Sequence, residues 1–555
     1  MEILYKELTP DHFNKKENFG QNFLNWFKDS YNLTFLGILL LAIVIRIYYF
    51  ILTANQPLWW DEADYLAYAK NIANLGGDWI VTAQHNSLYP FIVAGLFLLG
   101  LGEPAVKFFI QIIPSILSVW LVYAICNEIY DDKRIGLIAS FLMTTLWVVL
   151  FNSMRFHVDI PGMFFGLLAL YVFWRGYENK KKIFGKINSN LAIPLAVFFA
   201  VLAYSIRRAY FLFAVFILVY VLLTTKDWKK LIKDKYNWIG IVFGVFLFFL
   251  VEKFIFFSGI TEVGSTYYHP ENPISLGALK VFSSFFSFGS LFKNIYFYLF
   301  LIGIIFIFIN LLIYLGHIKK EKNKKVRGDL FAVILVIFTL ANFIFILRTF
   351  GEERWYLPLA LGAFIAVSQG ILLIGDSIKK YSKIIGIIFI ILLIALGGYY
   401  QVKNAEGIIK NKIPSFEGIK EAGLFLKQIS NPDDIIVSVP IPQPIYYSGR
   451  KVMNPAGILN KTSNQDVSFE EFLLKLSENT KIKYIIVTFS EPGHPNWMQQ
   501  QSSNFWSIPF MDTAIDFTNN KQDIKQEKTY GNITFKLIAL KQDAFVYEII
   551  RKQDF

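Results

Sequence analysis

The chain has 555 residues, 55% of them apolar and 17% aromatic, with a net charge of +12 and a mean hydropathy of +0.44. Charged residues make up only 17%, against about 25% in ordinary soluble domains, which excludes a wholly soluble protein. The lone cysteine, Cys126, lies inside an apolar run, so neither a disulfide framework nor a thiolate metal site is available.

Residues 1–33 are mixed polar, with Phe19, Phe23 and Phe27 spaced as the apolar face of an interfacial helix, and no cleavable leader is visible. Apolar runs then follow at 34–54, 106–127, 134–150, 159–176, 191–206, 208–224, 237–257, 293–316, 329–348, 356–375 and 383–400. They predict a polytopic membrane protein. The loops between them alternate in charge. DDKR at 131–134, ENKKK at 178–182, TKDWKKLIKDK at 225–235, HIKKEKNKKVR at 317–327 and SIKKYSK at 377–383 are each separated from the next by two runs. The positive-inside rule places all five in the cytoplasm, together with the N-terminal segment. Read this way, the basic charge is a topology signal and calls for no nucleic-acid partner.

The run LYPFIVAGLFLLGL at 88–101 breaks this parity if it crosses. Its length is that of a re-entrant or interfacial segment. It is therefore expected to stay on the outer side, within a long first external loop, 55–105. Eleven crossings result, with residues 34–400 forming the membrane domain. The external turns carry arginine in place of lysine: Arg155, Arg207, Arg208, Arg348 and Arg354. Guanidinium forks bind phosphate in two-pronged fashion and tolerate partial burial, so the set suggests a bound anionic headgroup.

After Tyr400 the apolar runs stop. GIKEAGLFLKQI at 418–429 and FEEFLLKLSEN at 469–479 read as amphipathic helices, and 435–440 and 483–489 as buried strands; 532–540 and 545–550 read as a closing hairpin. Residues 401–555 are thus expected to form an α/β domain outside the membrane. No phosphate loop or metal-ligand spacing occurs there, and His494 reads as a loop residue.

Chemistry concentrates in PLWWDEADY at 57–65 and MRFHVDIPG at 154–162. Carboxylates at a low-dielectric boundary are costly and usually mark a site. Asp61 is placed to take a proton from an acceptor hydroxyl. Glu62 or Asp159 would orient the reacting groups, or help to hold a divalent cation, whose presence the sequence leaves open. The DE pair also suits the first turn of a helix beginning near Ala63, where negative charge favours the N-terminal dipole.

Trp-Asp-Glu after the first run, H-x-x-L-Y-P at 85–90, R-x-x-x-D-x-P at 155–161 and E-R-W-Y-L-P at 353–358 occur in this order. Together they resemble the GT-C membrane glycosyltransferases related to protein O-mannosyltransferases and to the aminoarabinose transferase acting on lipid A. FLKQISNPDDIIV at 425–437 resembles the opening of that group's C-terminal domain, and HNSLYP has Asn86 and Ser87 where relatives often have two prolines. The resemblance implies about 11–13 membrane helices and an inverting transfer from a polyprenyl-phosphate-linked sugar to a protein, lipid or glycan acceptor. Asp61 would be the base, with Glu62 and Asp159 beside it. Arg207, Arg208 and Arg354, with Arg155, would hold the donor phosphate, and Trp60, His85, Tyr89 and His157 would line the acceptor side. WWDE lacks the glycine of the oligosaccharyltransferase WWDxG motif and lies in the first loop, so that motif is not matched. Two other classes use the same features: a transporter of lipid-linked substrates, and a non-catalytic scaffold that binds anionic lipid. A transporter is expected to show internal repeats and broken helices near the midplane. No clear repeat is seen, and the charges gather at one face.

Overall fold

The computed structural model describes residues 27–75, 87–256, 292, 295–314, 316, 318, 323–347, 352–489, 491, 493–502 and 504–552. The proposed interfacial face at Phe19 and Phe23, together with His85 and Arg348, lies outside the described residues. The chain begins with α1 (Ser30–Thr53), two helices of the first loop, α2 (Trp60–Ile72) and α3 (Leu88–Leu98), and then α4 (Glu103–Ile129). Helix α5 is a bent pair, Lys133–Thr145 and Trp147–Ser153, and α6 is Asp159–Val172 continued by Phe173–Glu178. There follow α7 (Ser189–Ile206), α8 (Arg208–Thr224), α9 (Lys235–Phe254), α10 (Ile295–Tyr314), α11 (Lys324–Phe345), α12 (Glu353–Lys379) and α13 (Lys383–Lys412).

Every predicted crossing thus has a helix. Among the described residues eight are long and apolar enough to span alone, and α5 makes nine if its bent pair counts as one; α6 and the shorter α8 stand at the other two positions. Helix α3 has 11 residues, about 16 Å of rise against a hydrocarbon core of about 30 Å, which fits a helix that does not cross. Helix α9 exposes Trp238, Ile241, Val242, Phe246 and Phe249, an apolar face that suits lipid and not water. The interior is packed by close approach of small residues. A Cβ on Gly303 of α10 would lie 1.8 Å from the Ala366 carbonyl oxygen of α12, and one on Gly370 would lie 2.4 Å from that of Leu299. The two backbones therefore touch directly, as small residues permit in membranes.

One charged residue within the bundle has a structural role. α5 bends by 50° at Leu146, which frees carbonyls from the helix ladder. Arg46 of α1, fully buried, donates to the Met143 and Thr144 carbonyls at 3.2 Å each and to Ser115 Oγ at 2.7 Å. Its charge is spread over the orphaned acceptors of the kink, the satisfaction that broken backbone needs in lipid.

The Lys-rich loops gather at one end. Arg134 pairs with Asp376 at 2.8 Å, Lys324 with Asp131 at 2.7 Å, Arg327 with Glu178 at 2.7 Å, and Lys181 with Glu128 at 2.8 Å. The first loop and the C-terminal region meet at the other end. Helix α13 runs 30 residues without a break, so it continues well past Tyr400, where the apolar run stops.

Helix α14 (Glu417–Ile429) buries Ile419, Ala422, Gly423 and Leu426 on one face. It is followed by β1 (Ile435–Val437), α15 (Pro442–Ser448), β2 (Lys451–Met453), α16 (Phe469–Glu478) and β3 (Ile482–Thr488). The expected hairpin is β9 (Ile533–Lys541) and β10 (Ala544–Arg551), in a six-stranded sheet ordered β2-β1-β3-β10-β9-β8, with β8 at Glu527–Tyr530. Both partners of β1 are parallel to it, and the other pairs are antiparallel. A second sheet, β4 to β7 between Gln500 and Asp523, was not anticipated. Alternate strand residues face opposite ways. Val437, Ile485, Val487 and Phe545 fill one core with α16. Ile436, Tyr484, Ile486 and Val546 share the other with Leu58, Ala63, Leu66 and Ala67 of the first loop. That shared core fixes the C-terminal domain against the helix that carries Asp61.

Candidate active site

Helix α2 starts at Trp60, three residues before the predicted Ala63, and its N-cap, Trp59, makes no side-chain cap. Asp61 and Glu62 sit in the first turn, where the dipole favours them, and each pairs with an arginine from another segment. The entry to the turn is pinned by the Leu58 amide, which donates to the Tyr447 hydroxyl of α15 at 2.8 Å.

Three loops converge on this turn. The segment 154–158 between α5 and α6 supplies Arg155 and His157, and Asp159 opens α6. Arg207 joins α7 to α8 in extended conformation, and Arg354 lies in the first turn of α12. Glu62, fully buried, pairs with Arg155, whose guanidinium stacks 4.1 Å from the Trp59 ring. Asp159, also fully buried, pairs with Arg207 and lies 3.8 Å from Arg354 Nη1. Asp61 Oδ2 accepts from Arg354 Nη2 at 3.2 Å. His157 Nδ1 lies 3.3 Å from Asp159, and the His157 ring accepts from Arg354 Nη1 at 2.8 Å. Arg354 is therefore the hub, and its Nε faces Glu352 at 2.6 Å. Burial, then the nearby Arg354 and Arg155, hold the His157 imidazole well below its usual range, so it stays neutral.

The three carboxylates differ in access. Glu62 and Asp159 are 0% exposed, whereas the Asp61 side chain is 32% exposed. Only Asp61 of the three can meet an incoming hydroxyl directly. Trp60 is 40% exposed, and its indole N–H donates to Glu491 Oε1 of the C-terminal domain at 2.8 Å. Burial pushes the Glu491 carboxyl up to about 7, against the opposing pull of that hydrogen bond.

Not every predicted residue joins the cluster. Arg208 opens a 3₁₀ turn and points away, with Nη2 3.9 Å from Glu252 and its guanidinium 4.2 Å from the Phe256 ring. Tyr89 is buried in the layer behind the cluster, packed edge-on to Tyr65, and its hydroxyl accepts from Gln111 Nε2 at 3.0 Å. The same Gln111 amide donates to the His157 carbonyl at 2.6 Å, which ties the first loop to the turn before α6. Gln111, Lys107, Tyr210 and Glu491 are the members that sequence reasoning missed. Lys107 is buried and donates to the Thr53 carbonyl at 2.8 Å; the Tyr210 hydroxyl donates to the Asp159 carbonyl at 3.0 Å. A lone polar residue in FFIQIIP at 108–114 was the available signal for Gln111; nothing in the sequence pointed to Glu491.

Among the described residues no three His, Cys, Asp or Glu side chains are grouped to hold a metal ion. The carboxylates of the cluster each face an arginine, a donor set that does not fit a divalent cation.

Residues 84–251 match the family profile described as dolichyl-phosphate-mannose-protein mannosyltransferase. Among curated proteins no sequence matches the chain. The fold is that of solved membrane glycosyltransferases. The apo oligosaccharyltransferase of Archaeoglobus fulgidus superposes with a TM-score of 0.59 at 15% identity, over 84% of this chain and 70% of that one. ArnT of Cupriavidus metallidurans, solved with undecaprenyl phosphate, gives 0.54 at 11% identity, over 92% of this chain and 98% of that one. The archaeal oligosaccharyltransferase AglB, in complex with an inhibitory peptide and a dolichol-phosphate, gives 0.55 at 14%, over 83% and 70%. The GT-C fold and the C-terminal sheet-containing domain expected from the motifs are thus found, and the chain is a multi-pass membrane protein.

Proposed function

For a GT-C membrane protein with this cluster, we propose that the chain is a glycosyltransferase that moves a sugar from a polyprenyl-phosphate carrier to an acceptor hydroxyl outside the cytoplasm, with inversion. The observation that carries the reading is Asp61, a partly exposed carboxylate at a site where three arginines converge. Asp61 accepts the proton of the acceptor hydroxyl. The freed oxygen attacks the anomeric carbon, and the bond from that carbon to the phosphate oxygen breaks on the opposite face. The phosphate leaves with the bonding electrons, and Arg354, Arg207 and Arg155 stabilise it as its charge grows. At about 4 Å and an effective dielectric of about 20, one cation contributes about 4 kcal/mol to that charge.

The carboxylates around these arginines set the guanidinium forks in place before the donor arrives, as preorganised catalysis requires. Neutral His157 accepts from Arg354 and adds no further positive charge to the three arginines. The profile match and the lipid phosphates in the ArnT and AglB structures support a lipid-linked donor. Lysine parity supports an external cluster and C-terminal domain, because nucleotide sugars are cytosolic and an external site needs a donor carried across on lipid.

The test is Asp61→Asn in the purified full chain. Transfer from a polyprenyl-phosphate-linked sugar is expected to fall about 10²–10⁴-fold, with lipid-phosphate binding close to wild type. Unchanged transfer would remove Asp61 as the base.

A further inference from the structure

A second charged cavity lies apart from the arginine cluster. It has a volume of about 180 Å³ and opens where α2 meets α14 and α15. Its walls include Lys70, Lys427 and Arg450, and no acidic residue is among the described residues that line it. Several cations elsewhere face carboxylates: Arg155 faces Glu62, Arg327 faces Glu178, and Arg134 faces Asp132 and Asp376. Here three like charges share one small space.

Lys70 and Arg450 are each held by something other than an acid in the pocket, and Lys427 is exposed. Lys70 Nζ sits 3.6 Å over the Tyr446 ring. Glu103, the acid that acts on Lys70, is itself engaged by the Tyr446 hydroxyl. Arg450 donates through Nε to Ser430 Oγ and through Nη2 to the Ser430 carbonyl, both at 2.9 Å, and reaches the Lys427 carbonyl at 3.2 Å. Those contacts place a cation at the C-terminus of α14, a sufficient structural role for Arg450. They do not account for Lys70 and Lys427. Burial lowers the Lys70 ammonium, Glu103 opposes that shift, and Lys427 adds to it, so the two lysines sense one another. An anion between them would relieve the repulsion.

We propose that this pocket is a binding site for a phosphate group, separate from the donor cluster. Lys70 follows Asp61 by nine residues on α2, about 14 Å along the axis and on the opposite side of the helix. A phosphate there would not compete with a donor at Arg354. It would bridge α2 to α14 and α15, and so brace the first loop against the C-terminal domain. The phosphate comes either from the head group of an anionic membrane lipid or from a soluble phosphate-bearing ligand such as an acceptor.

The experiment uses the purified full chain in detergent, saturated with polyprenyl phosphate so that the arginine cluster is filled. Inorganic phosphate is titrated against thermal unfolding, with sodium chloride at matched ionic strength as control. A saturable rise in Tm is expected for the wild type. In the Lys70→Gln/Lys427→Gln double variant the apparent Kd for phosphate is expected to rise about tenfold or more, with basal Tm and polyprenyl-phosphate binding unchanged. A wild-type response no larger than that to chloride, or a double variant that responds like the wild type, would overturn the proposal. Repeating the titration in nanodiscs separates the sources. If phosphatidylglycerol, but not phosphatidylcholine, stabilises the wild type through these lysines and abolishes the response to added phosphate, the ligand is a lipid head group. An equal phosphate response in both lipids assigns a soluble ligand. None of these readouts requires transfer, so failure of the catalytic reading and failure of this site are told apart.

Discussion

Arg354 donates to Asp61 and His157 and faces Asp159 and Glu352, so one guanidinium organises residues from the first loop, the turn before α6 and α12. Arg207 has a narrower task, the fully buried Asp159. Removing one member of a buried pair costs about 3–5 kcal/mol, because the other charge is left in low dielectric. Arg207→Ala should fall at the low end of that range, since Arg354 and His157 remain beside Asp159. It should also weaken polyprenyl-phosphate binding by about tenfold or more, through loss of a charge-assisted contact. Thermal unfolding with and without the lipid phosphate reads both effects. A variant with wild-type affinity would take Arg207 out of the donor site. The sequence singled out these arginines because they occupy turns that lack lysine. It could not say that Arg207 and Arg208, adjacent in the chain, diverge. That follows from the extended backbone at Arg207 and the 3₁₀ turn that opens at Arg208.

At the scale of elements, spans and lysine-rich loops were legible because hydrocarbon imposes length and apolarity on every crossing. The parity argument kept α3 out of the count, and its 11 residues are compatible with that reading. Helices α14 and α16 and four strands of the main sheet, β1, β3, β9 and β10, were legible from amphipathic spacing and short buried runs, whereas α15, β2 and β8 were not read. Strands β4 to β7 were not, since polar stretches such as Gln500–Gln501 and Lys521–Asp523 are exposed and carry no periodic apolar signal. The kink in α5 was equally hidden, because the arginine that satisfies it stands about a hundred residues earlier. Helix pairing is tested at α10 and α12, where Gly303 touches backbone. Gly303→Val would place its side chain on the Ala366 carbonyl and force the helices apart. It is expected to lower Tm and the monodisperse yield in detergent, whereas Gly37→Val, at a glycine with open space around it, should do neither. Equal behaviour of the two variants would contradict the packing described.

At the scale of the molecule, one apolar core runs from the first loop into the C-terminal sheet, so the helix that carries Asp61 and the C-terminal domain form a single body. The sequence could not reveal that core, which joins residues nearly four hundred positions apart. Its sidedness is open to direct test because the only native cysteine, Cys126, is buried. In intact cells an impermeant thiol reagent should label Lys475→Cys, on the C-terminal domain, and spare Lys325→Cys, in a lysine-rich loop. The reverse pattern would invert the topology. The central claim is transfer itself. The most direct measurement incubates the purified full chain with a polyprenyl-phosphate-linked sugar and an acceptor and follows the lipid by mass spectrometry. Release of free polyprenyl phosphate in step with a product of inverted anomeric configuration is predicted. A donor that is bound, or moved between leaflets, yet recovered with its sugar intact would contradict the account.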